Sequence, residues 1–214
     1  MRNNKLTLLI SSIILLPFTF SVFQVSSSLL SPQWGYLSGF IFYWVYALAF
    51  ILYITGLNRA KWKSMLGGSK NHPRAFILQA LAFVPVVGVF FISFLPNINQ
   101  LSLSAAILLV VMAIVNGLIE EVYWRGLYLL EYKNDWRIGL LAATLLFAVW
   151  HISLWFSKGM LYQGGFGALV GGALIMGLLW AWVTRSVGNI RACVAAHILV
   201  NLFAFTALLV QNGF

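Results

Sequence analysis

Read for its apolar and polar positions, the chain divides into seven long apolar runs with short polar breaks between them. The runs cover about residues 6–30, 35–57, 75–95, 101–130, 138–156, 165–183 and 192–210. A helix needs roughly 20 mostly apolar residues to cross the hydrocarbon core of a bilayer, and each run meets or approaches that length. The breaks hold residues that stop helices or favour water: Pro32, the polar stretch 58–74, Pro96 with Asn97, Asn134 with Asp135, Lys158 with Gly159, and the turn from Ser186 to Gly188. There is no internal repeat and no low-complexity tract. The pattern predicts an all-α, polytopic transmembrane helix bundle of about seven spans, forming one domain over residues 1–214. The first run follows Arg2 and Lys5, as the apolar part of a signal peptide would. Its length, and the want of a clear small-x-small cleavage site after it, favour a retained helix.

Composition supports the same class. Of the 214 residues, 62% are hydrophobic and only 8% charged. A soluble domain carries roughly 25% charged residues, and a single core of this size cannot hide so much apolar surface. Soluble enzymes, disordered chains and disulfide scaffolds are excluded. The net charge of +9 comes from 13 Lys and Arg against 4 acids. With the N-terminus in the cytoplasm, 11 of the basic residues fall in inside segments and only Lys158 falls outside. That bias is the positive-inside pattern, and it accounts for the charge without a nucleic-acid partner. The basic stretch from Arg59 to Arg74 is also placed to touch anionic lipid headgroups. Cys193, the single cysteine, excludes an intrachain disulfide and reads as a small buried hydrophobe. In the sixth run, Gly167 with Gly171 and Ala173 with Gly177 form small-xxx-small pairs, which predict close helix packing.

The chemistry lies in the few polar residues inside the runs. Of the 4 acids, Glu120 and Glu121 lie within the fourth apolar run, where an ionisable group is hardest to keep. Glu131 and Asp135 read as solvated loop surface. Glu121 and Arg125 are spaced i and i+4, the acid first, which favours an ion pair. A helix-bracing role explains that pair as well as a catalytic one. Neighbouring helix positions point about 100° apart, so Glu120 and Glu121 are not expected to share one role, and Glu120 lacks a local partner. A desolvated carboxylate of this kind suits general acid–base work. His72 reads as surface. His151, in the fifth run, can hold a water against Glu120. His197 and Asn201, one turn apart in the seventh, can aim two donors at one point, as an oxyanion site requires. By residue count the site lies in the inner half of the bilayer, open to the cytoplasm.

These residues in this order, Glu120-Glu121-x-x-x-Arg125, Phe147-x-x-x-His151 and His197-x-x-x-Asn201, resemble the motifs of the CPBP intramembrane proteases. This is the Abi or CAAX-protease-like family, which includes the CAAX prenyl endopeptidases. The resemblance covers Glu120 to Asn201, within a motif-bearing core at about residues 101–210. It implies an all-helical membrane fold with a conical cavity and hydrolysis of a peptide bond by a water held between Glu120 and His151. It also implies oxyanion stabilisation by His197 and Asn201, with Glu121 and Arg125 bracing the site. It implies a glutamate-dependent mechanism with no cofactor. The alternative is Zn²⁺ held by Glu120, His151 and His197, whose types suit zinc, although no His pair at i and i+4 is present. Prenyl endopeptidases of the family usually have eight spans, against seven counted here, so a prenylated substrate is not assumed. The substrate expected is a membrane-associated peptide or protein. The short, loop-poor build points to a prokaryotic plasma membrane. Two other readings remain open at this point: a non-proteolytic bacteriocin-immunity or scaffold protein of the same fold, and a proton-coupled transporter using Glu and His as a relay. The transporter reading lacks the internal repeat and broken midplane helices common in that class.

Overall fold

The computed structural model describes residues 4–67 and 74–214, so His72 lies outside the described residues. Among these, all regular structure is helical, and seven helices are long and apolar enough to cross a membrane. They are Asn4–Leu29, Pro32–Thr55, Ala75–Phe94, Leu103–Glu131, Arg137–Trp155, Gly167–Val187 and Arg191–Gln211, here called the first to seventh spans. A short helix, Arg59–Leu66, follows the second. The ends obey local rules. Ser31 caps the second span, whose first residue is Pro32, and Gly56 ends it in the left-handed conformation at φ 57°. Ser102 accepts from the Ala105 amide at 3.0 Å to start the fourth span. Asp135 accepts from the Arg137 and Ile138 amides at the start of the fifth, so it serves as a cap as well as loop surface.

The loops sort to two ends. At one end the Ile190 amide donates to the Met65 carbonyl, Arg191 to the Gly67 carbonyl, and Tyr132 to the Lys5 carbonyl. At the other end Gln33 donates to the Asn212 carbonyl, Gln163 to the Ile92 carbonyl, and the Lys158 amide to Ser27. The first end carries the basic loops, as the charge pattern predicts.

Two features of the packing position the site. The first span is bound into the bundle through hydroxyls rather than a smooth apolar face. Ser11 and Ser12 lie 3.1 and 3.2 Å from the Tyr123 hydroxyl, and Thr19 lies 3.1 Å from Ser153. The third span is broken at Ala82 and Phe83, just before Pro85. Proline lacks an N–H and disfavours helical backbone in the residue before it. The Ala82 carbonyl left free accepts from Trp180 Nε1 of the sixth span at 2.9 Å.

The two glycine pairs of the sixth span behave differently. Gly177 does pack closely: an added Cβ would lie 3.0 Å from Thr144 Cγ2 and 3.2 Å from Phe147 Cδ1. Gly167 and Gly171 have no neighbour within 4 Å of that position, so this pair, expected to be an interface, faces open space. They lie in a wider π-helical turn, Gly167–Gly171, at the start of the span.

Candidate active site

The fourth and seventh spans run antiparallel and side by side, and the site forms where they meet. The fourth is α-helical from Leu103 to Glu120 and continues through a π-helical turn, Glu121–Gly126. Such turns re-aim side chains and recur at functional sites. The seventh carries His197 six residues past its start, beside the basic-loop end.

Both carboxylates meet His197. Its Nε2 lies 3.2 Å from Glu120 Oε2, and its Nδ1 lies 2.8 Å from Glu121 Oε1. Adjacent on the helix, the two acids reach the same ring from different sides. The two imidazole nitrogens diverge, so carboxylates pointing in different directions can flank one ring. Glu121 also pairs with Arg125, Oε1 to guanidinium nitrogen 3.2 Å, as the i,i+4 spacing predicts. The Arg125 guanidinium lies 4.0 Å over the Phe147 ring and 5.8 Å from the Trp180 ring, a favourable cation–π arrangement. Glu120 and Glu121 are 0% exposed, Arg125 3% and His197 4%, so all four charges or partial charges are out of water.

Glu121 Oε1 is shared between the Arg125 guanidinium and His197 Nδ1, so a hydrogen on Nδ1 would be donated to Glu121 and leave Nε2 facing Glu120 Oε2. Trp180 holds the imidazole from its flat side, ring centroids 4.6 Å apart at 34°. Because Trp180 is itself anchored to the Ala82 carbonyl, the proline break in the third span reaches the site through one indole. Trp180→Phe keeps a flat ring and loses that anchor. It is expected to lower the melting temperature by a few degrees, for a net hydrogen bond of about 1 kcal/mol, and to slow turnover. Differential scanning fluorimetry beside an activity assay reads both.

His151 does not touch Glu120 directly. Its Nδ1 is 2.9 Å from the Phe147 carbonyl one turn earlier, and its ring packs edge-on against Phe147 and Trp150. It makes no ion pair with Glu120 within 4 Å. Both His151 and Asn201 line a cavity of about 640 Å³, within the range of pockets that hold a drug-sized ligand or short peptide. His197 forms part of the same wall, and Asn201 Nδ2 is buried there with no hydrogen-bond partner. Cys193 is buried beneath the site, donating to the Trp180 carbonyl at 3.4 Å, a packing residue as expected.

The cavity wall extends to Tyr36, Tyr162 and Gln163 at the end opposite the basic loops, and includes the exposed mid-span residues Val84 and Ile175. A separate space among Arg125, Leu129, Gly139 and Arg185, on the basic-loop side, is only about 10 Å³.

Residue types alone allow Glu120, His151 and His197 to hold zinc. Among the described residues, no group of three or more His, Cys, Asp or Glu side chains has a geometry that could hold a metal ion. Trp180 and Asn116 also belong to the site and carry no motif signal. Asn116 was detectable in principle, as a polar residue one turn before Glu120 on the same helix face.

No curated protein and no solved structure matches the chain. A family model does match, the type II CAAX prenyl endopeptidase Rce1-like model, over residues 102–203. That span begins at the cap of the fourth helix, contains Glu120, Glu121, Arg125, His151, His197 and Asn201, and ends within the seventh helix. By this match residues 102–203, which carry the whole candidate site, are similar to the CAAX-protease-like (CPBP) family of membrane endopeptidases.

Proposed function

We propose that the protein hydrolyses a peptide bond of an apolar, membrane-associated peptide drawn into the 640 Å³ cavity. The observation that carries the reading is the buried Glu120–His197 pair at 3.2 Å, beside the cavity wall. A water at the wall attacks the scissile carbonyl carbon while the Glu120–His197 unit takes its proton. The tetrahedral intermediate holds its negative charge on the former carbonyl oxygen, facing Asn201. Collapse breaks the C–N bond, and the proton held by the pair passes to the leaving amine. Glu121 and Arg125 keep His197 in the tautomer that this requires. His151, on the same wall, is positioned to contact the water or the substrate backbone.

The arrangement favours a glutamate mechanism over a zinc one, because both nitrogens of His197 are already turned to carboxylates and one of these is paired with Arg125. The mostly apolar wall suits a hydrophobic peptide without requiring a prenyl group.

Purified protein in lipid nanodiscs, incubated with a library of quenched fluorescent peptides, tests this reading. Cleavage is expected, and EDTA or 1,10-phenanthroline is expected to leave the rate within about twofold. Cleavage lost to the chelator and restored by Zn²⁺ would overturn the glutamate assignment. An absence of cleavage across apolar peptides would overturn the protease reading itself.

A further inference from the structure

With both nitrogens of His197 turned to carboxylates, the oxyanion site lacks one of its expected donors. We propose that Asn116 supplies it, so that the amides of Asn116 and Asn201 together bind the oxyanion. This rests on the protease reading above.

The register of the two helices carries the argument. In an antiparallel pair, stepping one turn back on one helix matches stepping one turn forward on the other. Glu120 faces His197 at 3.2 Å. Asn116 is one turn before Glu120, and Asn201 is one turn after His197, so they form the next rung of the pair. Gly117 keeps this rung tight: an added Cβ there would lie 2.8 Å from Ile198 Cγ1 and 3.0 Å from the Ile198 amide nitrogen. Asn116 and Asn201 both line the cavity, and both are buried, at 3% and 6% exposure.

The orientation of the Asn116 amide is also fixed. Trp44 Nε1 of the second span lies 3.0 Å from Asn116 Oδ1. An indole N–H only donates, so the atom facing it is the carbonyl oxygen, and the NH₂ is the branch turned from Trp44. Asn201 Nδ2 is buried without a hydrogen-bond partner. Two amide donors from facing helices, one of them held by an indole, meet the requirement of preorganised donors aimed at developing negative charge. Trp44 is then a positioning residue.

The test uses full-length protein in nanodiscs and a peptide that the wild type cleaves. Asn116→Ala is expected to lower kcat about 10²-fold or more with KM within about twofold, the split expected when a donor acts only in the transition state. Asn116→Asp is expected to do the same, because a carboxylate cannot donate. Trp44→Phe, which leaves Asn116 in place, is expected to lower kcat about tenfold at unchanged KM, by freeing the amide to turn. Should Asn116→Ala fail to fold, Trp44→Phe decides. A kcat within twofold of wild type in either folded variant overturns the assignment and leaves the protease reading intact. A wild type that cleaves nothing overturns both.

Discussion

Replacing Glu120 with Gln is expected to lower kcat about 10³-fold, the middle of the range for a lost general base, with the fold kept. The substitution is close to isosteric. The amide cannot accept the water proton, and it takes the charge from the unit that Nε2 completes at 3.2 Å. Stability should move little, because a Gln NH₂ can donate to a bare Nε2 at the 3.2 Å position of Glu120 Oε2. Single-turnover cleavage and thermal unfolding on the same preparation separate the two effects. A variant that unfolds near the wild-type temperature and still cleaves within threefold of the wild-type rate would remove Glu120 from the chemistry.

Arg125→Ala is expected to destabilise the bundle by about 3–5 kcal/mol, the range for breaking a buried ion pair from one side. Glu121 would be left fully buried, with only the His197 imidazole beside it. The guanidinium also lies 4.0 Å over Phe147, so the loss includes packing. Arg125→Lys keeps the charge but not the planar stacking group, and should fall between the two. The double variant Arg125→Ala, Glu121→Gln is expected to recover part of the stability, since no uncompensated charge remains. Equilibrium unfolding in mixed micelles gives the four values. A single-variant loss under 1 kcal/mol would mean that water reaches Glu121.

The sequence showed the spans because an 18–30-residue apolar run has one stable outcome in a bilayer, and Pro32 and Gly188 mark ends that the structure keeps. It showed the Glu121–Arg125 pair because both partners lie on one helix. It could not show which histidine Glu120 meets. That depends on the side-by-side register of the fourth and seventh spans, which nothing in either span alone encodes. The same holds for Trp180: an indole in an apolar run looks like packing until the break before Pro85 exposes the carbonyl that it holds.

The central claim is that Glu120, with His197, activates a water to hydrolyse a peptide. Mass spectrometry of products formed in H₂¹⁸O tests it most directly. The wild type is predicted to yield two fragments, with one ¹⁸O in the new carboxyl terminus, and Glu120→Gln to yield none on the same timescale. Intact peptide with the wild type, or labelled products in equal yield from both proteins, would contradict the account.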